Sequence, residues 1–183
     1  MKILVAYFSE TGNTKRVSEA IRESALAQGH DVTFLTVGEV PTDTLADYDA
    51  VFLGSTCHSS DIAAPVRALL EGIPQNLSTK LAGFVTHATV MPDDGEWQRE
   101  MYEKWAGRCL STFEAVSKEK GLTFLGFFHC QGAPSPPIEA FIHSTIFTDD
   151  AEWEEYVKAV RDHPTDEDVE AAKRFAEDTL AKC

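Results

Sequence analysis

The sequence predicts an α/β fold with a five-stranded, doubly wound parallel sheet, because three features of the chain point to it together. Short apolar runs of strand length alternate with segments whose apolar residues recur at helical spacing. The strand-like runs are almost continuously apolar, which is typical of strands buried on both faces. Polar loops follow the first, third and fourth runs. In a parallel sheet such loops converge at the carboxyl edge, where ligands bind.

The five strands are expected where apolar and β-branched residues run together. They are Ile3 to Phe8, Asp31 to Val37, Ala50 to Gly54, Lys80 to Thr86 and Leu122 to Phe128. The polar loops that end the third and fourth strands are Ser55 to Ser60 and His87 to Gly95. The first strand is too short to cross a membrane. An acidic connection, Gly38 to Tyr48, separates the second strand from the third.

Four helices are expected between and after the strands. The first begins near Lys15 and stops at Gly29, and a short one covers Ala64 to Leu70. The longest is predicted from Glu96 to Lys120, because Trp97, Met101, Trp105, Cys109, Phe113 and Val116 recur at about one-turn spacing. We expect these aromatic residues to pack mainly on the sheet. A last helix follows Thr165, which is a typical N-cap residue.

The loop after the first strand, Ser9 to Thr14, is predicted to bind a phosphate group. A loop between a strand and a helix points backbone N–H groups and the positive end of the helix dipole at one place. Gly12 allows a tight turn, and Ser9, Thr11 and Thr14 can add hydroxyl donors. The P-loop motif for nucleoside triphosphates, GxxxxGK[ST], and the dinucleotide-binding motif GxGxxG are both missing here, which disfavours these two classes of ligand. A cysteine-dependent tyrosine phosphatase is disfavoured because Ser9 occupies the position of the nucleophile.

These residues resemble the phosphate loop of the flavodoxins, whose motif [ST]xTGxT is matched by Ser9, Thr11, Gly12 and Thr14. The resemblance implies FMN as the cofactor and the strand order 2-1-3-4-5. It covers Met1 to about Gly132 and the last helix, within a single domain of residues 1–183. The segment 133–163 would then be an insertion after strand five, and it contains a Pro-rich start and an amphipathic stretch, Ala151 to Val160.

The resemblance also implies which residues contact the cofactor, with the ring lying between the second and third loops. The expected set is Ser9, Glu10, Thr11, Gly12, Asn13, Thr14, Thr56, Cys57, His58, Ser59, Thr86, His87, Ala88 and Thr89. Flavodoxins commonly stack the ring between a tryptophan and a tyrosine. This chain instead offers Cys57 and His58 in the second loop and His87 in the third. A lid from the insertion, involving Phe141, Ile142, Phe147 or Trp153, is one way to cover the ring, with ordinary packing as the alternative.

Composition and charge limit the partners. The 183 residues carry a net charge of −14, which disfavours nucleic acid and anionic membranes and favours a redox protein with a basic docking face. The charge also predicts a lowered reduction potential, mainly through acidic residues near the ring such as Asp61, Asp93, Asp94 and Glu96. The four cysteines are widely spaced and signal neither a metal site nor disulfides. The start MKILVAYFSE lacks the pattern of a signal peptide, so we expect a cytoplasmic protein.

Three functions remain open from the sequence. The first is an FMN-dependent electron carrier that exchanges single electrons between redox proteins. The second is an NAD(P)H-dependent FMN or quinone reductase with the same fold, and the third is a flavin-free protein-binding module. No hydrolytic triad or metalloprotease motif is present, so redox chemistry would come from the cofactor. A homodimer, with the insertion at its interface, is also left open.

Overall fold

A parallel sheet of five long strands forms the centre of the molecule, in the computed structural model that describes residues 1–183. The five long strands and the short strand β4 are, in chain order, β1 (Lys2–Tyr7), β2 (Asp31–Thr36), β3 (Ala50–His58), β4 (Asp61–Ile62), β5 (Lys80–His87) and β6 (Phe124–Gln131). The order is β2-β1-β3-β5-β6, with β4 paired to β3 outside this path. All pairs on the main path are parallel, whereas β4 runs antiparallel to β3. The predicted fold and its order of five main strands are therefore confirmed, with one short strand added.

Seven helices surround the sheet and cover both of its faces. They are α1 (Asn13–Ala27), α2 (Ala64–Gly72), α3 (Glu96–Trp105), α4 (Arg108–Lys120), α5 (Pro136–Thr145), α6 (Asp150–Val160) and α7 (Asp166–Leu180). One face packs on α1 and α7, through a core that includes Phe52, Phe84 and Ala172. The other face packs on α2 and α4, through a core that includes Leu53 and Phe113. None of the helices is long and apolar enough to span a lipid bilayer.

The long helix predicted from Glu96 to Lys120 is wrong, because the structure divides it into α3 and α4. Ala106 leaves the helical region, with φ −144° and ψ −10°. A side chain at Gly107 would lie 2.7 Å from the carbonyl oxygen of Glu103, so the backbones approach closely there. Only α4 places its predicted residues in the sheet core, namely Cys109, Phe113 and Val116. Helix α3 has no buried residue, and Trp97 is 44% exposed.

Two predicted strand ends also needed correction. The polar residues Ser55 to His58 were expected to form a loop, but they continue β3 because β5 and β4 supply pairing partners along their whole length. The turn is confined to Ser59 and Ser60, whose φ values of 50° and 73° reverse the chain. The last strand lies at Phe124–Gln131 rather than at Leu122 to Phe128. Leu122 instead donates its N–H to the Ser117 carbonyl (2.9 Å), which completes the end of α4.

The segment 133–163, predicted as an insertion, contains α5 and α6, which build a small apolar cluster of their own. Ile142, Tyr156 and Val160 are buried in it, and Phe147 and Trp153 pack around them. The cluster reaches the sheet through Ala88, whose carbonyl oxygen accepts a hydrogen bond from the Tyr156 hydroxyl. The insertion thus lies at the carboxyl edge of the sheet, beside the loop that follows β5.

Candidate cofactor site

The phosphate loop, residues Ser9 to Thr14, presents unpaired backbone donors at the start of α1. The first hydrogen bond at this end of α1 runs from the Arg16 N–H to the Gly12 carbonyl (2.9 Å). The N–H groups of Asn13, Thr14 and Lys15 precede that bond and are free to hold an anion. Gly12 adopts φ +94°, a left-handed conformation that favours glycine. The Ser9 hydroxyl accepts the Gly12 N–H (3.1 Å), which closes the turn and leaves the Ser9 hydrogen available.

Two side-chain contacts tie this loop to β5 and to the segment that follows β6. The Thr14 and Thr86 hydroxyls are 2.8 Å apart and buried. When Thr86 donates, the Thr14 hydrogen is free for a phosphate oxygen. The Asn13 side-chain amide donates to the Ala133 carbonyl (2.8 Å), which attaches the start of the insertion to the phosphate loop. The loop is therefore held from two sides.

The turn between β3 and β4 is fixed by α4. The Arg108 backbone N–H donates to the Ser60 carbonyl (3.2 Å), and its side chain donates to the Ser59 carbonyl (2.8 Å). The break between α3 and α4 makes these contacts possible, because it directs the start of α4 at the turn. At the end of β3, the His58 ring lies 2.6 Å from the Glu10 carboxylate, so this turn also contacts the phosphate loop.

His87 is buried, with 4% of its surface exposed, although the sequence placed it in a polar loop. Its Nδ1 lies 3.2 Å from the Thr89 carbonyl and its Nε2 lies 3.0 Å from Nδ1 of His129. The Tyr102 ring packs against both imidazoles, with centroid distances of 5.2 and 4.7 Å. Burial and, next, the neighbouring His129 lower the pKa of His87 from 6.5 to about 3, so the ring is neutral at pH 7.

Two adjoining cavities open at this edge of the sheet. The polar cavity, of about 420 Å³, is bounded by the phosphate loop, the end of β3, the end of β5 and the segment from Gly132 to Ile138. The apolar cavity, of about 570 Å³, is lined by Trp105, Phe141 and three isoleucines, among others. The two cavities share five lining residues, Cys57, Ser59, His87, Ala88 and Ile138. Together they form one continuous site.

Most of the residues expected from the sequence lie at this site. All of them line the polar cavity except two. Gly12 is the N-cap of α1, and Thr89 lines the apolar cavity. Of the four residues considered for a lid, Phe141 and Ile142 line the apolar cavity. Phe147 and Trp153 do not, and they pack instead inside the insertion cluster.

Sequence reasoning missed two groups of residues at the site. One is the segment from Gly132 to Pro137 before α5, whose Pro-rich sequence gave no sign of a ligand. The other comprises Lys104 and Trp105 at the end of α3, which looked like part of a continuous amphipathic helix. A signal did exist for the second group, because Gly107 interrupts the helical pattern immediately after them.

The donor set and the cavities fit FMN. Unpaired N–H groups at a helix start suit its phosphate dianion, and hydroxyl groups along the polar cavity suit its ribityl chain. The apolar cavity has the lining that a tricyclic aromatic ring needs, and both volumes lie within the usual range for small-molecule sites. The fold and the site thus define a doubly wound α/β protein of the phosphate-binding, flavin nucleotide class.

Comparison with known proteins specifies this class further. Residues 4–177 match a family model described as "Flavodoxin domain", so the chain belongs to the flavodoxin family. It is similar to a flavodoxin of Clostridium beijerinckii, with 28% identity over 105 residues, which are 56% of this chain and 75% of the relative. Proteins of this family bind FMN and pass electrons to redox partners, and this chain shares that cofactor and that general role.

Solved structures agree with the fold. Flavodoxin 1 of Bacillus cereus superposes with a TM-score of 0.66 at 14% identity, over 100% of this chain and 99% of that one. Flavodoxin 2 of the same organism gives a TM-score of 0.65 at 20% identity and full coverage of both chains. At these identities the likeness concerns the fold alone.

Proposed function

We propose that this protein is an FMN-dependent one-electron carrier between redox proteins. The observation that supports the proposal is the continuity of the two cavities: a polar one at a helix start and an apolar one beside it, at the carboxyl ends of β1, β3 and β5. Bound FMN supplies a ring that accepts and releases electrons. The protein's part is to hold that ring, to set its electrostatic surroundings and to present it to a partner.

In this proposal the phosphate loop holds the phosphate through the N–H groups of Asn13 to Lys15 and the hydroxyls of Ser9 and Thr14. Thr56 and Thr86, between the phosphate loop and the apolar cavity, contact the ribityl chain. The ring occupies the apolar cavity, where Trp105 and Phe141 supply aromatic packing on one side in place of the usual two-sided stacking. Their rings form an edge-to-face pair, with centroids 5.5 Å apart, and so already make one wall.

The surface around the apolar cavity supports a protein partner. Ile138 and Phe141 are 45% and 43% exposed, so two of the five exposed large apolar side chains of the chain lie together beside it. The chain carries 30 acidic and 16 basic residues, so a partner with a basic face would be attracted to it. An exposed apolar centre with charged surroundings is the usual composition of a transient protein interface.

Measurements of FMN binding and of electron transfer between redox proteins test the proposal. We expect the purified protein to bind FMN with one-to-one stoichiometry and to pass electrons from a reduced redox protein to an oxidised one. Transfer should slow as salt is raised, because screening weakens the charge attraction. Failure to bind FMN would overturn the proposal. Rapid, saturable oxidation of NAD(P)H with a quinone, at a rate independent of any redox protein, would replace it with the reductase alternative.

A further inference from the structure

The buried histidine pair has a defined arrangement of protons. The Thr89 carbonyl can only accept a hydrogen bond, so Nδ1 of His87 must carry a hydrogen and donate it over 3.2 Å. In a neutral His87 the Nε2 atom is then an acceptor, and the Nδ1–H of His129 must donate to it over 3.0 Å. A neutral His129 therefore has a bare Nε2, which makes no hydrogen bond within the protein.

The pair joins the cofactor site to solvent. His87 lines both cavities and is the most buried of the titratable side chains there, the others being Glu10, Cys57, His58 and Lys104. His129 is less buried than His87 and its Nε2 is unpaired, so this nitrogen is where a proton can enter the pair. A proton that binds at His129 Nε2 releases the Nδ1 proton, which moves to His87 Nε2. One imidazolium beside the cavities results, and every hydrogen bond of the pair is kept.

We propose that His87 and His129 form a proton relay that takes up one proton when FMN bound beside them receives an electron. This inference rests on the proposed function. The electron comes from an external reductant, the proton comes from solvent through His129, and the pair changes from neutral to a charge of +1. The added positive charge offsets the negative charge that reduction brings to a protein that already carries −14. His87 and His129 act on the cofactor through this charge, as positioning residues for a proton.

The groups that face the pair agree with this role. Burial lowers the pKa of His129, and Asp93, before α3, opposes this shift only in part. His163, before α7, lowers the pKa of His87 slightly further. Burial raises the pKa of the Tyr102 phenol, so this group, beside both imidazoles, stays neutral. The pair is thus neutral in the absence of negative charge beside it, and new negative charge in the cavities favours its protonation.

Nitrogen-15 NMR of the histidine side chains tests the relay directly. In the oxidised, FMN-bound protein at pH 7 we expect His87 to be neutral with its hydrogen on Nδ1, and His129 to be neutral with its hydrogen on Nδ1. After reduction with dithionite, one of the pair should show imidazolium shifts. FMN binding is measured first, by fluorescence titration. If FMN does not bind, the proposed function fails; if it binds and both histidines stay neutral after reduction, only the relay is overturned.

The pH dependence of the midpoint potential is the second readout, with His129→Asn as the main variant. An asparagine amide can still donate to His87 Nε2, but it has no basic nitrogen, so the pair loses the site at which the proton binds. We expect the midpoint potential of the wild type to change more steeply with pH than that of the variant. The largest expected difference is one proton per electron, which is about 59 mV per pH unit. His143→Asn is the matched control, because His143 is a half-exposed histidine that stacks on Trp153 away from the cavities.

Equal slopes in the wild type and in His129→Asn would overturn the relay, and so would an equal loss in the His143→Asn control. If His129→Asn fails to fold, His129→Phe replaces it, since a phenyl ring keeps the packing against Tyr102 and Phe127. The NMR measurement on the wild type decides the question independently of both variants.

Discussion

The phosphate end and the ring end of the site differ in how much of the chain each one uses. The phosphate end consists mainly of six consecutive residues, Ser9 to Thr14; two hydrogen bonds, one within the loop and one to β5, hold it in place and leave backbone N–H groups unpaired. The ring end draws on β3, β5, α3 and α5, and its walls are apolar. A polar subsite can be encoded locally by a loop and a helix start. An apolar subsite depends on tertiary packing and can be rebuilt from different segments.

Removing the phosphate should have the largest effect on binding. Riboflavin lacks the group that the phosphate loop would hold, so we expect it to bind about 10³-fold more weakly than FMN, which corresponds to a net loss of about 4 kcal/mol from the charge-assisted hydrogen bonds. Isothermal titration with the two ligands measures the difference. Equal affinities would show that the polar end contributes little and would contradict the division described above.

The second test uses pH, because only the ring end contains a buried titratable pair. Unfolded His87 has a pKa near 6.5, whereas the folded value is about 3. Between these values the unfolded chain binds the proton and the folded one does not, so His87 destabilises the fold as the pH falls from 6.5 towards 3. The slope is about 1.4 kcal/mol per pH unit for one proton. Urea unfolding of FMN-free wild type and His87→Gln at several pH values should show a shallower dependence in the variant.

A truncation at the ring end should have a smaller effect. Phe141→Ala removes part of the apolar wall, and we expect FMN and riboflavin to lose the same factor, about tenfold, for the loss of roughly 1.4 kcal/mol of stacking and burial. Leu26→Ala is the control, because Leu26 is equally exposed (44%) but lies on α1. A loss confined to FMN would indicate that Phe141 acts on the phosphate end instead.

The smallest effect is expected where the two ends meet. Thr86→Val leaves the buried Thr14 hydroxyl without its partner, at a cost of about 1 kcal/mol in the free energy of unfolding. Denaturant unfolding measures this cost. The single variants Thr14→Val and Thr86→Val and the double variant form a double-mutant cycle, which gives the coupling free energy between the two side chains. If the single and double changes simply add, the contact does not couple the phosphate loop to β5.

Local sequence patterns revealed most of the scaffold and the phosphate end. Each main strand is a nearly continuous apolar run, and Gly12 and the hydroxyl residues around it form one short motif. The ring end could not be predicted in the same way. His87 and His129 are far apart in the chain and meet only because β5 and β6 are neighbours. The apolar spacing continues across the break between α3 and α4, so only Gly107 itself marked it, and the burial of His87 depends on Tyr102, which α3 supplies.

The separate apolar cluster of α5 and α6 has a consequence for the dynamics of the molecule. Its buried part comprises three residues, compared with 18 and 15 on the two faces of the sheet. So small a cooperative unit should open at a lower free energy than the sheet, and its amides should exchange with deuterium sooner. Because Ile142 and Ile146 belong to it and also line the apolar cavity, such opening would expose one side of that cavity while the strands stay folded, giving a bound planar molecule a route in and out.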